Sequence, residues 1–123
     1  MFPALIESMP RLTPLPGHTP APVNASAIFQ APNASKIIYD ASTDLMLHSY
    51  QLRGNVGGHY SDEDAVVIAT HGPNEPRKFV TTFGLNQPGA EAAFKVYVIM
   101  ATDNEAGSAA LLVERPLGLS QAA

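Results

Sequence analysis

The chain has 123 residues, 46% of them hydrophobic and 15% charged, and a formal net charge of −4. That is enough apolar material for one packed domain with a tail, and too little cationic charge for a protein that tracks a phosphate backbone. There is no cysteine, which excludes disulfides, thiolate nucleophiles and cysteine metal sites, and no run of about 18 apolar residues that would cross a membrane as a helix.

Residues 1–22 hold six of the 11 prolines, Pro3, Pro10, Pro14, Pro16, Pro20 and Pro22, with Pro32 just beyond. Each proline fixes its own φ, removes a backbone donor and pushes its predecessor toward extended geometry, so neither a helix nor a central strand propagates here. The segment reads as a stiff, extended, polyproline-like arm. Phe2, Pro3 and Glu7, with no basic stretch before them, do not read as a signal peptide, and nothing else in the chain assigns a compartment. Phe2, Leu5, Ile6 and Met9 form an apolar cluster inside the arm, a docking element for its own domain or for a neighbouring copy.

From residue 23 to residue 116 the pattern is β, with no sustained 3.6-residue period. Seven short runs stand between turn signals: 25–30 before Ala31-Pro32-Asn33, 36–41 before Ser42-Thr43-Asp44, and 45–53 before Gly54-Asn55-Val56-Gly57-Gly58; then 65–70 before His71-Gly72-Pro73-Asn74-Glu75-Pro76, 77–85 before Asn86-Gln87-Pro88-Gly89, 92–102, and 108–115. Such spacing predicts an all-β fold, a two-sheet antiparallel Greek-key sandwich of about seven strands, with a short tail over 117–123. Alternation assigns faces: Phe94, Val96, Val98 and Met100 point to the core while Lys95 faces water, and Leu111 shares a face with Val113. For 77–85 the rows Phe79/Phe83 and Val80/Thr82 leave two registers open.

The run Phe83-Gly84-Leu85-Asn86-Gln87-Pro88-Gly89-Ala90-Glu91-Ala92-Ala93-Phe94-Lys95-Val96-Tyr97-Val98 resembles the E-to-F region of a fibronectin type III domain. Thr102-Asp103-Asn104-Glu105-Ala106-Gly107-Ser108 is similar to that family's F–G turn, Ile38-Tyr39-Asp40-Ala41-Ser42 to the end of its B strand, and Ser49-Tyr50-Gln51-Leu52-Arg53 to its C strand. Tyr39 stands where the family usually has Trp, and Phe94 where it has the corner Tyr. The resemblance implies an immunoglobulin-like sandwich and a non-catalytic role as a spacer or protein-interaction module.

The residue inventory contains no constellation that points to catalysis. His18, His48, His59 and His71 include no pair at metal-ligand spacing, and His59 and His71 fall at opposite ends of the 65–70 run. Asp62-Glu63-Asp64 lacks the glycine and closing glutamate of a calcium loop and reads as a solvated charge run. No Gly-x-Ser-x-Gly occurs, and no phosphate-cradling loop opens a helix. The expectation is therefore no enzyme, no cofactor, no metal, no nucleic acid and no membrane, with a protein partner contacted through loops or sheet edges. Tyr60 in its glycine-rich loop is the leading contact, beside His59, His71 and Asn74; Phe2, Leu5 and Ile6 of the arm are the others. Two alternative readings are a subunit of a virion or surface assembly joined as a homo-oligomer through the arm, and a carbohydrate-binding accessory domain, the latter disfavoured by the absence of Trp.

Overall fold

In the computed structural model the described residues are 19–117, so Phe2, Leu5, Ile6, Met9 and most of the proline-rich arm lie outside them. Eight strands are present among the described residues: β1 (Ala25–Gln30), β2 (Ala34–Tyr39), β3 (Leu47–Val56), β4 (Val66–His71), β5 (Lys78–Thr81), β6 (Glu91–Met100), β7 (Glu105–Gly107) and β8 (Leu111–Glu114). They form two antiparallel sheets, β1-β2-β5 and β4-β3-β6-β7, with β8 also paired to β6. The chain changes sheet at β2–β3, β4–β5 and β5–β6, which is a Greek-key path through a sandwich.

Period-2 alternation explains the core. Phe94, Val96 and Val98 are 0% exposed and Met100 is 2% exposed. Phe94, Val96 and Val98 meet Tyr50 and Leu52 of β3, Ile37 and Tyr39 of β2, Phe79 of β5 and Val113 of β8 in one apolar cluster. Burying each of these side chains stabilises the fold by about 1.5–3 kcal/mol. Val113 is buried, its partner on that face Leu111 is half-buried, and Leu112 is exposed, as the alternation in that strand requires. The open register of β5 resolves in favour of Phe79, which packs inward while Val80 is exposed. Rings decide it: Phe79 stacks 5.4 Å from Tyr39 and 4.2 Å from His71, closing one end of the sandwich between the two sheets.

Several boundaries differ from the sequence expectation. Strand β3 runs on to Val56, through the glycine-rich stretch expected to be a loop, because Asn55 and Val56 still pair with Ala93 and Ala92 of β6. Strand β2 starts at Ala34 and ends at Tyr39, its first residues held by β1 through Gln30 opposite Ala34. Strand β5 has only four residues; beyond Thr81 the backbone turns, with Leu85 N–H donating to the Thr82 carbonyl at 3.1 Å. Glu105–Gly107, expected within a turn, pairs with β6 as β7, and the last expected strand, 108–115, narrows to Leu111–Glu114 as β8. Between them Ser108 is buried and holds the break: its Oγ accepts from Val96 N–H at 3.0 Å and donates to the Ala109 carbonyl at 2.9 Å.

The end of the sandwich near Tyr39 is a ring cluster with a polar rim. Tyr39 and Tyr50 lie 4.7 Å apart, and the Tyr50 hydroxyl accepts from Ser42 N–H at 2.8 Å, tying the β2–β3 connection to the core. Burial, with a lesser push from neighbouring Tyr50, raises the Tyr39 phenol to about 12 from its usual 10.0. A phenol that stays neutral longer when folded than when unfolded stabilises the fold fully below the unfolded value, and that contribution disappears as pH climbs through the folded one. Thermal stability is therefore expected to decline between pH 10 and about 12, with tyrosinate absorbance rising together with unfolding. Tyr39→Phe should flatten that alkaline limb; an unchanged limb would assign it to other tyrosines.

The outer face of the first sheet is unusual in its side chains. Opposite-strand rows read Ile28–Lys36–Val80 and Ser26–Ile38–Lys78. Ile28, Ile38 and Val80 are 61%, 49% and 51% exposed, and no acidic residue occurs in the three strands.

Candidate interaction surface

The long connection between β3 and β4 folds back over the outer face of the second sheet. Asn55 pins it. Its buried side-chain amide donates to the carbonyls of Val56 and His59 at 3.0 and 2.9 Å, and its Oδ1 accepts from Ser61 N–H at 2.8 Å. A buried amide with both its ends bonded holds the loop as firmly as a turn of regular structure would. The pinned loop presents Tyr60 and Asp62 to the sheet beneath it.

Strands β3 and β6 supply the floor, with Arg53 opposite Lys95 and Gln51 opposite Tyr97. Arg53 leans diagonally so that its guanidinium sits 3.9 Å from the centre of the Tyr97 ring. The same guanidinium makes a two-pronged contact with Glu105 of β7, at 2.9 and 2.7 Å, and its Nε donates to Gln51 Oε1 at 2.6 Å. Tyr97 O–H donates to Asp62 Oδ1 at 2.9 Å, and the Tyr60 and Tyr97 hydroxyls are 3.4 Å apart. Lys95 Nζ lies 5.0 Å from the centre of the Tyr60 ring. Tyr97, expected on the water side with Lys95, is thus on the outer face yet only 7% exposed, because Arg53 and the returning loop cover it.

The electrostatics follow from this packing. The bond to Glu105 pushes the Arg53 guanidinium up, so it is a permanent cation. Burial first, then the hydrogen bond to Tyr97, raises the Tyr60 phenol far above its usual range; burial also raises Tyr97, whose further push upward comes from Asp62. Neither phenol is primed to give up a proton at neutral pH. Around the cluster lies a surface concavity of about 470 Å³ lined by Arg53, Tyr60, Asp62, Ala65, Val67, Tyr97 and Glu105. A smaller groove of about 250 Å³ on the far side of Tyr60 is lined by His59, Lys95 and Leu112 among others. Tyr60 is the ridge between the two.

The structure brings only some of the expected contact residues together. Tyr60 and exposed His59 share the groove, but Tyr60 is half-buried against its own sheet. His71 lies at the other end, opposite Tyr50, and is not a solvated loop residue: it closes β4, stacks on Phe79, and has Nδ1 3.5 Å from the Tyr39 hydroxyl and Nε2 3.8 Å from Glu75. Asn74 is exposed in the turn after it. Arg53, Asp62, Tyr97 and Glu105 are not among the contact residues expected from sequence, and Asp62 reads there as a solvated charge; the Asn-Val-Gly-Gly stretch signals a loop, but not one that returns to the sheet. Among the described residues no group of three or more His, Asp or Glu side chains could hold a metal ion.

No protein-family model and no curated protein matches this sequence. Solved structures do. An Fn3-like protein from Clostridium thermocellum superposes with a TM-score of 0.61 at 19% identity, covering 80% of this chain and 96% of that one. The fold is that of a fibronectin type III domain. A fourth FNIII domain from human agrees, with a TM-score of 0.63 at 20% identity over 87% of this chain and 92% of the other. A pectate lyase from Erwinia chrysanthemi, solved with tetragalacturonic acid, matches at a TM-score of 0.60 and 14% identity, and this fibronectin type III-like chain spans only 28% of its length. In this chain β1, β2 and β5 are the three-stranded sheet, and β7 and β8 pair one after the other with β6.

Proposed function

We propose that this chain is a non-catalytic β-sandwich module, a structural spacer or protein-interaction domain, whose contact surface is the outer face of the second sheet around Tyr60. The observation that carries the reading is the chain of contacts Glu105–Arg53–Tyr97–Asp62. Arg53 is paired with Glu105, Asp62 accepts from the Tyr97 hydroxyl, and the Tyr60 and Tyr97 phenols are both pushed up, an arrangement that supports a contact surface over a reacting centre. What remains is shape: rings, carboxylate edges and exposed aliphatic carbon around a concavity, held rigid by Asn55. Rigid aromatic anchors in a preformed surface are what protein partners use. The test is a photo-crosslinking residue in place of Val67, which lines the concavity, compared with the same residue in place of Ala41 in the β2–β3 connection. Polypeptide crosslinks from position 67, weakened at least several-fold by Tyr60→Ala, support the reading. Crosslinks from position 41 alone would overturn it.

A further inference from the structure

Two exposed apolar surfaces of this molecule carry opposite charge. The first sheet presents Ile28, Ile38 and Val80 with Lys36 and Lys78 set between them in register. Neither lysine has a carboxylate partner among the described residues. On the second sheet, edge strand β4 exposes Val66 and Val67, 51% and 56%, one residue beyond Asp62, Glu63 and Asp64, all three on the surface. Single exposed aliphatic residues need no account, but aliphatic residues grouped by register and fringed by one sign of charge mark a contact surface. A basic apolar face is also out of character for a chain of net charge −4.

We propose that these two surfaces bind each other between copies of the chain, the outer face of the first sheet in one molecule docking on the β4 edge and its acidic flank in the next. The proposal rests on the reading that the second sheet's concavity is an interface, since Val67 and Asp62 belong to both. Like-with-like pairing is disfavoured: face on face sets Lys36 and Lys78 against lysines, and β4 on β4 sets the Asp62–Asp64 run against its own copy. Only the unlike pairing brings ammonium groups to carboxylates and covers aliphatic carbon on both sides. Because the two surfaces sit on different elements, every contact leaves one face and one edge unused, so copies add head to tail. The ion pairs lie at the surface, so the association weakens as salt screens them.

The experiment is light scattering with sedimentation velocity on the full chain, over rising concentration, at low and high salt. The expected result is an average mass that climbs without levelling at two copies, and an apparent affinity several-fold weaker at high salt. The variants K36E/K78E and E63K/D64K, each checked for a native melting curve, should both stay monomeric alone. An equimolar mixture of the two should regain association, since each then supplies the surface that the other's reversed charges fit. A wild type that stays monomeric throughout overturns the proposal; foreign-protein crosslinks from position 67 would then still support the interface reading. A plateau at two copies, or a mixture that fails to associate, overturns it as well. Association lost on removing residues 1–18 but untouched by both charge reversals would assign the contact to the N-terminal segment instead.

Discussion

Val98→Asp is expected to abolish stable folding at ordinary temperature. Val98 is 0% exposed and sits in β6 between two neighbours, opposite Tyr50 of β3 on one side and Ala106 of β7 on the other. The substitution removes an apolar burial of about 1.5–3 kcal/mol and places a carboxyl in the buried apolar cluster that holds Tyr50, Leu52, Val96 and Phe94, away from water. A carboxylate there is expelled or protonated, and either outcome costs several kcal/mol against a total stability of about 5–15 kcal/mol for a small domain. Circular dichroism on heating should show no cooperative transition, whereas Val98→Ala should keep a folded baseline at a lower midpoint. A Val98→Asp protein melting within a few degrees of the wild type would place this side chain outside the core and undo the face assignment of β6.

The second large effect is expected at a glycine. On strand propensity alone, Gly54→Val ought to help, since valine is a strand former and Gly54 lies within β3. Packing reverses the sign. A Cβ on Gly54 would stand 2.7 Å from Phe94 Cδ1, 3.0 Å from Ile68 Cδ1 and 2.9 Å from the Ala93 carbonyl oxygen. The ring and the isoleucine can give a little; the carbonyl belongs to the β6 ladder and cannot. We expect Gly54→Val to cost about 3 kcal/mol, at the upper end of overpacking penalties, with Gly54→Ala smaller in the same direction. Urea denaturation measures it through a lower midpoint at unchanged slope. A valine variant as stable as the wild type would mean that β3 and β6 are further apart at this point.

These two residues also mark what the sequence discloses and what it withholds. The row Phe94, Val96, Val98, Met100 is legible because alternation is a local property, and one long strand repeats it several times. The sandwich class follows from the same pattern and from turn residues between runs, whereas β7 stayed hidden because Asp103-Asn104-Glu105-Ala106-Gly107 has the letters of a turn. Gly54 was misread as a loop glycine because the letters Gly-Asn-Val-Gly-Gly signal a turn; its real reason is the close approach of Phe94, forty residues away in sequence. Phe79 and Val80 could not be told apart for a like cause, since the choice depends on Tyr39 and His71 from two other strands. The candidate surface was the least legible part. Tyr60 drew notice as an aromatic residue among glycines, yet its partners Tyr97 and Asp62, and the Arg53–Glu105 pair beside them, meet only because Asn55 returns the loop to the sheet.

The interruption at Ser108 has a bearing on how this molecule survives in a crowded solution. An intact final strand would offer a long row of unused amide and carbonyl groups on which a foreign chain could grow a ladder, the opening step of many fibres. Here that row is cut into pieces of three and four residues, with a serine turned inward at the cut. A stray strand finds too few successive bonds to hold on that flank, so the break acts as a guard against runaway sheet extension.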